Sequence, residues 1–226
     1  MSSNLSKRIL TSFLLLIILS AGLFINKYFW LILLLIVSII SFNEFNNLIK
    51  KAFKKKQDLI LLFQITCVIY LVLFIYTSYD LYRLSPIYLV FFISICILSD
   101  TGGFFIGKLV GGKKLTKISP NKTVSGCIGS FIFSLLSLII LFLIYNYMEI
   151  RSLKYDNNIT ALFSLIIFLS FICQMGDLLI SYFKRKAKVK DTGIILPGHG
   201  GLLDRIDGAI FVLPTIYILE KLLTLI

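Results

Sequence analysis

Two aspartates, Asp100 and Asp177, are embedded in long apolar runs, where an ionised carboxylate is costly and marks a functional position by default. Around Asp177 the residues Ser170, Gln174, Asp177, Ser181 and Lys184 are spaced by four, three, four and three, which places all five on one helical face. On a lipid-compatible helix that face must turn inward, toward other helices or a wet cavity. Lys184, Arg185, Lys186, Lys188 and Lys190 follow, and then Asp191. Positive potential beside a carboxylate suits a phosphorylated substrate held through a metal ion, although Lys186 and Lys188 read first as an anchor to anionic lipid. In the turn Leu196-Pro197-Gly198-His199-Gly200-Gly201, glycines permit close approach and backbone conformations in which successive amides cradle an anion. Asp204, Arg205 and Asp207 close the series; at the start of a helix the two aspartates lie three apart on one face, and their hard oxygens suit Mg²⁺.

A second set of groups lies upstream. Asp100-Thr101-Gly102-Gly103-Phe104-Phe105-Ile106-Gly107-Lys108 ends an apolar run, and Gly103 and Gly107 form a small face for close helix packing or ligand approach. Beyond it Lys113, Lys114, Lys117, Ser119, Asn121, Lys122 and Thr123 supply donors for a triphosphate, without the GxxxxGK[ST] spacing of a Walker loop. Neither a Ser-His-Asp nor a Cys-His set is present. Cys67, Cys96, Cys127 and Cys173 stand singly in apolar stretches, and the chain has one histidine. That pattern supports neither a zinc site nor a disulfide framework, and packing among helices explains it.

The elements that must hold these residues are membrane helices. The chain has 226 residues, of which 58% are hydrophobic, and a mean hydropathy of +0.95. Runs at 9–25, 28–49, 59–77, 86–107, 124–148, 159–182 and 208–226 are each long enough to cross, or nearly cross, about 30 Å of hydrocarbon. None alternates with period two, so they are helices and not barrel strands. The expected fold is an all-α polytopic transmembrane bundle of about seven spans. It forms one membrane domain over 1–226, with 1–85 as spans of no assigned role and 86–226 carrying the catalytic helices and loops. Lys7 and Arg8, residues 50–56, 108–122 and 184–205 gather the basic residues on one side; Lys27, Arg83, Arg151, Lys154 and Lys221 fall on the other. That asymmetry makes the first side cytoplasmic, with the N-terminus inside. No small-residue cleavage site follows the first run, which reads as a retained helix. A net charge of +12 dispersed through short loops reports topology and anionic headgroups, not nucleic acid.

Taken together, these residues resemble the phosphatidate cytidylyltransferase family, also called CDP-diacylglycerol synthases. That family's C-terminal pattern is matched by Ser181, Lys184, Arg185, Lys190, Asp191, Gly193, Leu196, Pro197, His199, Gly200, Gly201, Asp204, Arg205 and Asp207. Gln174-Met175-Gly176-Asp177-Leu178, Asp100-Thr101-Gly102 and Ile118-Ser119-Pro120-Asn121-Lys122-Thr123 also match. The resemblance covers roughly the last 130 residues; before it only the hydrophobicity agrees. The N-terminal half is short for the family, Val124 and Ser125 stand where it usually has Trp and Glu, and Gly208 replaces a usual Ser.

The resemblance implies attack of the phosphate of phosphatidate on the α-phosphorus of CTP, with pyrophosphate leaving. It implies Mg²⁺, with room for a second cation, at Asp191 and Asp207, with Asp204 and Asp177 beside them. Lys184, Arg185, Lys190 and Arg205 would hold phosphates, and His199 would contact the loop or a phosphate in preference to acting as a base. Asp100, Lys122, Thr123, Ser181, Gly200 and Gly201 would line the substrates. The implied partners are CTP, phosphatidate and membrane lipids, with a homodimer allowed, and the implied location is a bacterial inner membrane. The alternatives are a CTP-dependent polyprenol or dolichol kinase, an ion or solute transporter using Asp100 and Asp177, and an inactive membrane scaffold.

Overall fold

The computed structural model describes residues 2–54, 56–148 and 159–224. Arg151 and Lys154, expected on the outer side, Lys55, and the end of the last run at 225–226 lie outside the described residues. Eight helical segments follow one another: α1 Ser2–Phe24, α2 Lys27–Ala52, α3 Gln57–Leu84, α4 Pro86–Val110, α5 Val124–Ser134, α6 Ser137–Met148, α7 Ile159–Lys186 and α8 Leu203–Thr224. No strand occurs among the described residues; two isolated bridges, Lys114 with Thr123 and Leu196 with Gly200, close turns. The seven expected runs each coincide with a helix, α5 and α6 being halves of one run broken at Leu135 and Leu136.

Boundaries differ from the expected ones in one systematic way. α3 continues seven residues past 77, α7 reaches Lys186, and α8 begins at Leu203 rather than 208. The expected limits stop where side chains turn polar, whereas the helices continue because their added turns pack inward, with Ser78, Leu81, Phe183, Leu203 and Asp207 buried. Ends are set instead by local chemistry. The side chains of Asn26, Ser85 and Thr123 cap α2, α4 and α5 by accepting from Phe29, Ile87 and Gly126 amides. Pro86 occupies the first turn of α4, where its missing N–H costs nothing.

By length and composition five helices could cross a membrane: α2, α3, α4, α7 and the stretch Val124–Leu143 spanning the break. α1 contributes the shorter apolar stretch Arg8–Phe24. Large apolar side chains face outward along the bundle, among them Ile32, Ile39, Leu61, Val72, Ile132 and Phe168, as a surface solvated by lipid requires. Inside, Leu89, Ile95, Ile166, Leu169 and Val212 are fully enclosed. The chain is thus an all-helical membrane protein with α4 and α7 at its centre.

All four basic segments lie at one end of this bundle. Arg8 reaches Gly198, Asn46 bonds Gln64, Lys122 meets Asp177, and Arg185 reaches Ile118. The start of α1, the end of α2, the start of α3, the end of α4, the start of α5, the end of α7 and the start of α8 therefore share that end.

Candidate active site

Glycine brings the bearing helices together. On α4 and α5, Gly102 faces the Gly129 carbonyl, and Gly103 and Gly107 face Gly126, so that a Cβ at Gly126 would stand 2.7 Å from the Gly103 carbonyl. On α7 and α8, a Cβ at Gly176 would stand 2.8 Å from the Asp207 carbonyl, and one at Gly208 would overlap Cys173 Sγ. In lipid, such small-residue seams are how backbones approach closely enough for polar groups to meet. Gly103 and Gly107 thus serve packing.

The polar stripe of α7 faces inward. Ser170 Oγ lies 2.9 Å from Ser99 Oγ on α4. Ser181 Oγ donates to Asp177 Oδ1 at 3.3 Å, and Lys122 Nζ forms a 2.5 Å ion pair with Asp177 Oδ2. Gln174 is 8% exposed, and its Nε2 has no partner among the described residues. Gln174, Asp177, Asp100, Lys122, Asn121 and Thr123 line a polar pocket of about 250 Å³ against the α4–α5 seam. Thr123 also accepts from the Gly126 amide at 3.0 Å, so its hydroxyl caps α5 as well as facing the pocket.

Asp100, Asp177 and Asp207 approach one another from α4, α7 and α8, each within electrostatic reach of Asp177 or of the other two. Asp207 is 6% exposed and accepts the Gly208 amide at 2.9 Å. Of the three, only Asp207 is buried; Lys122 contacts Asp177, and Arg205 and Lys184 lie within electrostatic reach of Asp100 and Asp207 respectively. The oxygens of Asp177 and Asp207 are therefore the ones whose chemistry fits a hard divalent cation. The four expected metal ligands, however, do not meet at one point, and no group of three or more His, Cys, Asp and Glu forms a metal cluster among the described residues. Asp204 points the other way: it pairs with Lys184 at 2.7 Å and accepts the amides of Thr192 at 2.8 Å and Gly201 at 3.1 Å. Its lone pairs, and the Lys184 ammonium expected on phosphate, hold the turn instead. Asp191 lies beyond Gly200, whose Cβ would come 2.9 Å from it.

Asp191 lines a separate basin of about 450 Å³ with Lys190, Arg8, Arg205, His199 and the glycine turn. The expected amide cradle is not built. Leu196 N donates to the Gly200 carbonyl at 2.9 Å, while His199 N and Gly200 N both donate to the Leu196 carbonyl at 2.9 and 3.1 Å. Gly200 and Gly201 shape the turn, and anion contact falls to side chains. Arg205 Nη2 donates to the His199 carbonyl at 3.1 Å and Arg8 Nε to the Gly198 carbonyl at 2.9 Å, which fixes both guanidinium groups at the rim. His199 Nδ1 bonds Thr11 Oγ1. Partial burial, then the charges of Arg205 and Arg8, hold its imidazole below the usual histidine range, so it is neutral at pH 7. Arg185 reaches over to the Ile118 carbonyl at 3.3 Å.

A third, apolar chamber of about 270 Å³ runs between α1, α2, α4 and α8, lined by Leu15, Leu19, Trp30, Leu34, Ile93 and Leu213. Asp100 lines both this chamber and the polar pocket, and Arg205 lines both the chamber and the basin. The three spaces therefore meet at two charged side chains.

Residues 61–223 match the model of the cytidylyltransferase family. The chain belongs to that family. It is 44% identical over 134 residues to a phosphatidate cytidylyltransferase of Staphylococcus haemolyticus (strain JCSC1435), covering 58% of this chain and 48% of that protein. It is 43% identical over 133 residues to a phosphatidate cytidylyltransferase of Staphylococcus aureus (strain COL), and 44% over 135 residues to one of Staphylococcus saprophyticus, with the same coverage. The chain spans about half the length of these relatives.

Two residues escaped the sequence reading: Arg8, read there only for topology, lines the basin, and Glu44 reaches the turn before α8. Glu44, on α2 and outside the family-matched segment, is 4% exposed and accepts from the Leu202 amide at 3.0 Å and the Leu203 amide at 2.9 Å. The signal was present: a carboxylate inside an apolar run, which singled out Asp100 and Asp177, applies equally to Glu44.

Proposed function

We propose that the chain joins CTP to phosphatidate, giving CDP-diacylglycerol and pyrophosphate. The observation that carries this reading is the junction of an apolar chamber, a basic basin and a carboxylate-lined polar pocket at Asp100 and Arg205. Only a substrate pair made of an anionic lipid and a charged, water-borne molecule uses all three. The acyl chains of phosphatidate take the chamber, its phosphate meets Arg205 and Arg8, and CTP enters the polar pocket past Lys122.

An oxygen of the lipid phosphate forms the new bond to the α-phosphorus, and the bond from that phosphorus to the bridging oxygen of pyrophosphate breaks. A phosphate monoester is already largely ionised near pH 7, so no general base is required, in keeping with a neutral, hydrogen-bonded His199. Placement and charge neutralisation carry the step. Lys122 offsets triphosphate charge, Gln174 Nε2 offers a buried donor to the nucleotide, and Arg205 and Arg8 orient the attacking phosphate. Asp177 and Asp207, within electrostatic reach of each other, are the carboxylates that would meet Mg²⁺ carried in with the nucleotide, and the ion would offset phosphate charge. Asp191 lies with the basin groups, on the side where the lipid phosphate is received.

The reading also places seven crossings in a bacterial inner membrane, with the N-terminus and the site at the cytoplasmic face, because the basic segments share that end. Purified protein with Mg²⁺, phosphatidate and CTP labelled in the cytosine should release pyrophosphate and transfer label into lipid. Label entering lipid only from the γ-phosphate would identify a polyprenol-type kinase, and no transfer at all would reject both.

A further inference from the structure

We infer that Glu44 is a positioning residue: from α2, and through its charge, it fixes the turn between α7 and α8 that presents Lys190, Asp191, His199 and Arg205. The inference deepens the proposed function and depends on it only where turnover is measured.

A buried carboxylate is tolerated when hydrogen bonds answer its lone pairs. For Glu44 the answers are the orphan amides at the start of α8, Leu202 on Oε1 and Leu203 on Oε2, together with the positive end of that helix. The Thr192 hydroxyl lies 2.9 Å from Glu44 Oε2 and 3.0 Å from Asp204 Oδ2, and its single proton serves one of the two at a time. Glu44 forms no ion pair among the described residues. Its charge is balanced by the turn itself, so turn and carboxylate hold each other.

The glycines support this. Gly198 and Gly200 have φ of 79° and 85°, which explains glycine by conformation. Gly193 and Gly201 do not have positive φ. A Cβ on Gly193 would overlap Glu44 Oε1, and one on Gly201 would overlap Glu44 Oε2 and Thr192 Oγ1. These two positions are glycine because a carboxylate from α2 occupies the space beside them. The family match begins at residue 61, so the matched segment contains the turn but not the group that holds it, and α2 becomes part of the working site.

Glu44→Gln keeps the shape but sets an NH₂ donor against N–H donors. Hydrogen exchange of the full chain in detergent should show amides 193–203 exchanging at least about tenfold faster, with α4 and α7 unchanged, because a turn released from its buried acceptor opens locally. In turnover assays the KM for phosphatidate should rise about tenfold with that for CTP within about twofold, since the affected groups line the lipid-phosphate side. A merely structural loss would lower the amount of active enzyme and leave both KM values in place. Thr192→Val tests the same clasp from the turn side should Glu44→Gln fail to fold, and Asn43→Ala, one residue away, should behave as wild type. Unchanged exchange in the turn, faster exchange throughout the bundle, or equal shifts in both KM values would overturn the inference. If the wild-type chain forms no CDP-diacylglycerol, the proposed function fails while the exchange measurement still decides the role of Glu44.

Discussion

Adding one methyl group at Gly102 should disable the site without touching any charged group. A Cβ there would stand 2.5 Å from the Gly129 carbonyl oxygen and press on Phe133, whereas ordinary contact begins near 3.4 Å. Neither helix backbone can yield locally, so α4 and α5 must part by about 1 Å, with an overpacking cost of about 1–3 kcal/mol. Asp100 lies two residues before Gly102, and Lys122 just precedes α5, so the separation moves Lys122 relative to Asp100 across the polar pocket that both line. A misplacement of about 1 Å at reacting groups costs roughly a hundredfold in rate. Gly102→Ala should therefore lose roughly a hundredfold in kcat/KM for pyrophosphate release while the purified protein keeps its helical circular dichroism. Gly103→Ala is the control: its Cβ would meet Ser130 Oγ at 2.6 Å, but the next atom is the Gly126 carbonyl at 3.6 Å. A hydroxyl rotates away, so that loss should stay within about threefold. Wild-type kcat/KM in Gly102→Ala, with only a lower melting temperature, would refute the link between the seam and the site.

Three further outcomes are expected. Lys122→Met should raise the KM for CTP and reduce kcat/KM by about a hundredfold, read by titrating CTP, with Lys122→Arg recovering part of the loss. Leu19→Trp, which fills the apolar chamber, should weaken long-chain phosphatidate more than short-chain phosphatidate, a comparison of KM values that a general defect would not split. Because the folded-state pKa of His199 is lowered from 6.5, the unfolded chain binds its proton first. The stability it contributes is present above pH 6.5 and is lost as pH falls through the lower folded value. Melting temperatures should show a stronger acid decline in the wild type than in His199→Gln, and parallel curves would count against it.

The helices were legible in the sequence because lipid leaves the backbone one way to satisfy itself, and the runs of apolar residues state where that happens. The shared end of the basic segments was legible for the same reason. What could not be read was how carboxylates divide among partners. Asp204 and Asp207 lie three apart on α8, and a helical wheel gives them one face, yet Asp204 caps the turn while Asp207 looks into the bundle beside Asp177. The division depends on Lys184 and Thr192 arriving from outside the helix. The glycine turn was read as an anion cradle because its residue types allow one; which carbonyl each amide chooses is a tertiary fact. Glu44 was missed because α2 carries no pattern that announces a site, only a single charge whose partners lie roughly 150 residues away along the chain.

The departures from the family pattern fit the same physics. Val124, where Trp is usual, lies 43% exposed on the outer surface of α5, so a smaller apolar side chain there changes the lipid-facing wall and not the pocket. Ser125, where Glu is usual, donates to the Gly111 carbonyl and lies 2.9 Å from Thr123 Oγ1; it ties the loop to α5 and brings no charge. Gly208, where Ser is usual, leaves room that Cys173 Sγ fills. A side chain at 208 would push α8 from α7 and draw Asp207 away from Asp177, unless residue 173 shrank with it. Cys173→Ala should therefore make Gly208→Ser tolerable where Gly208→Ser alone is not, and activity restored in the double variant would tie the spacing of the two aspartates to this single contact.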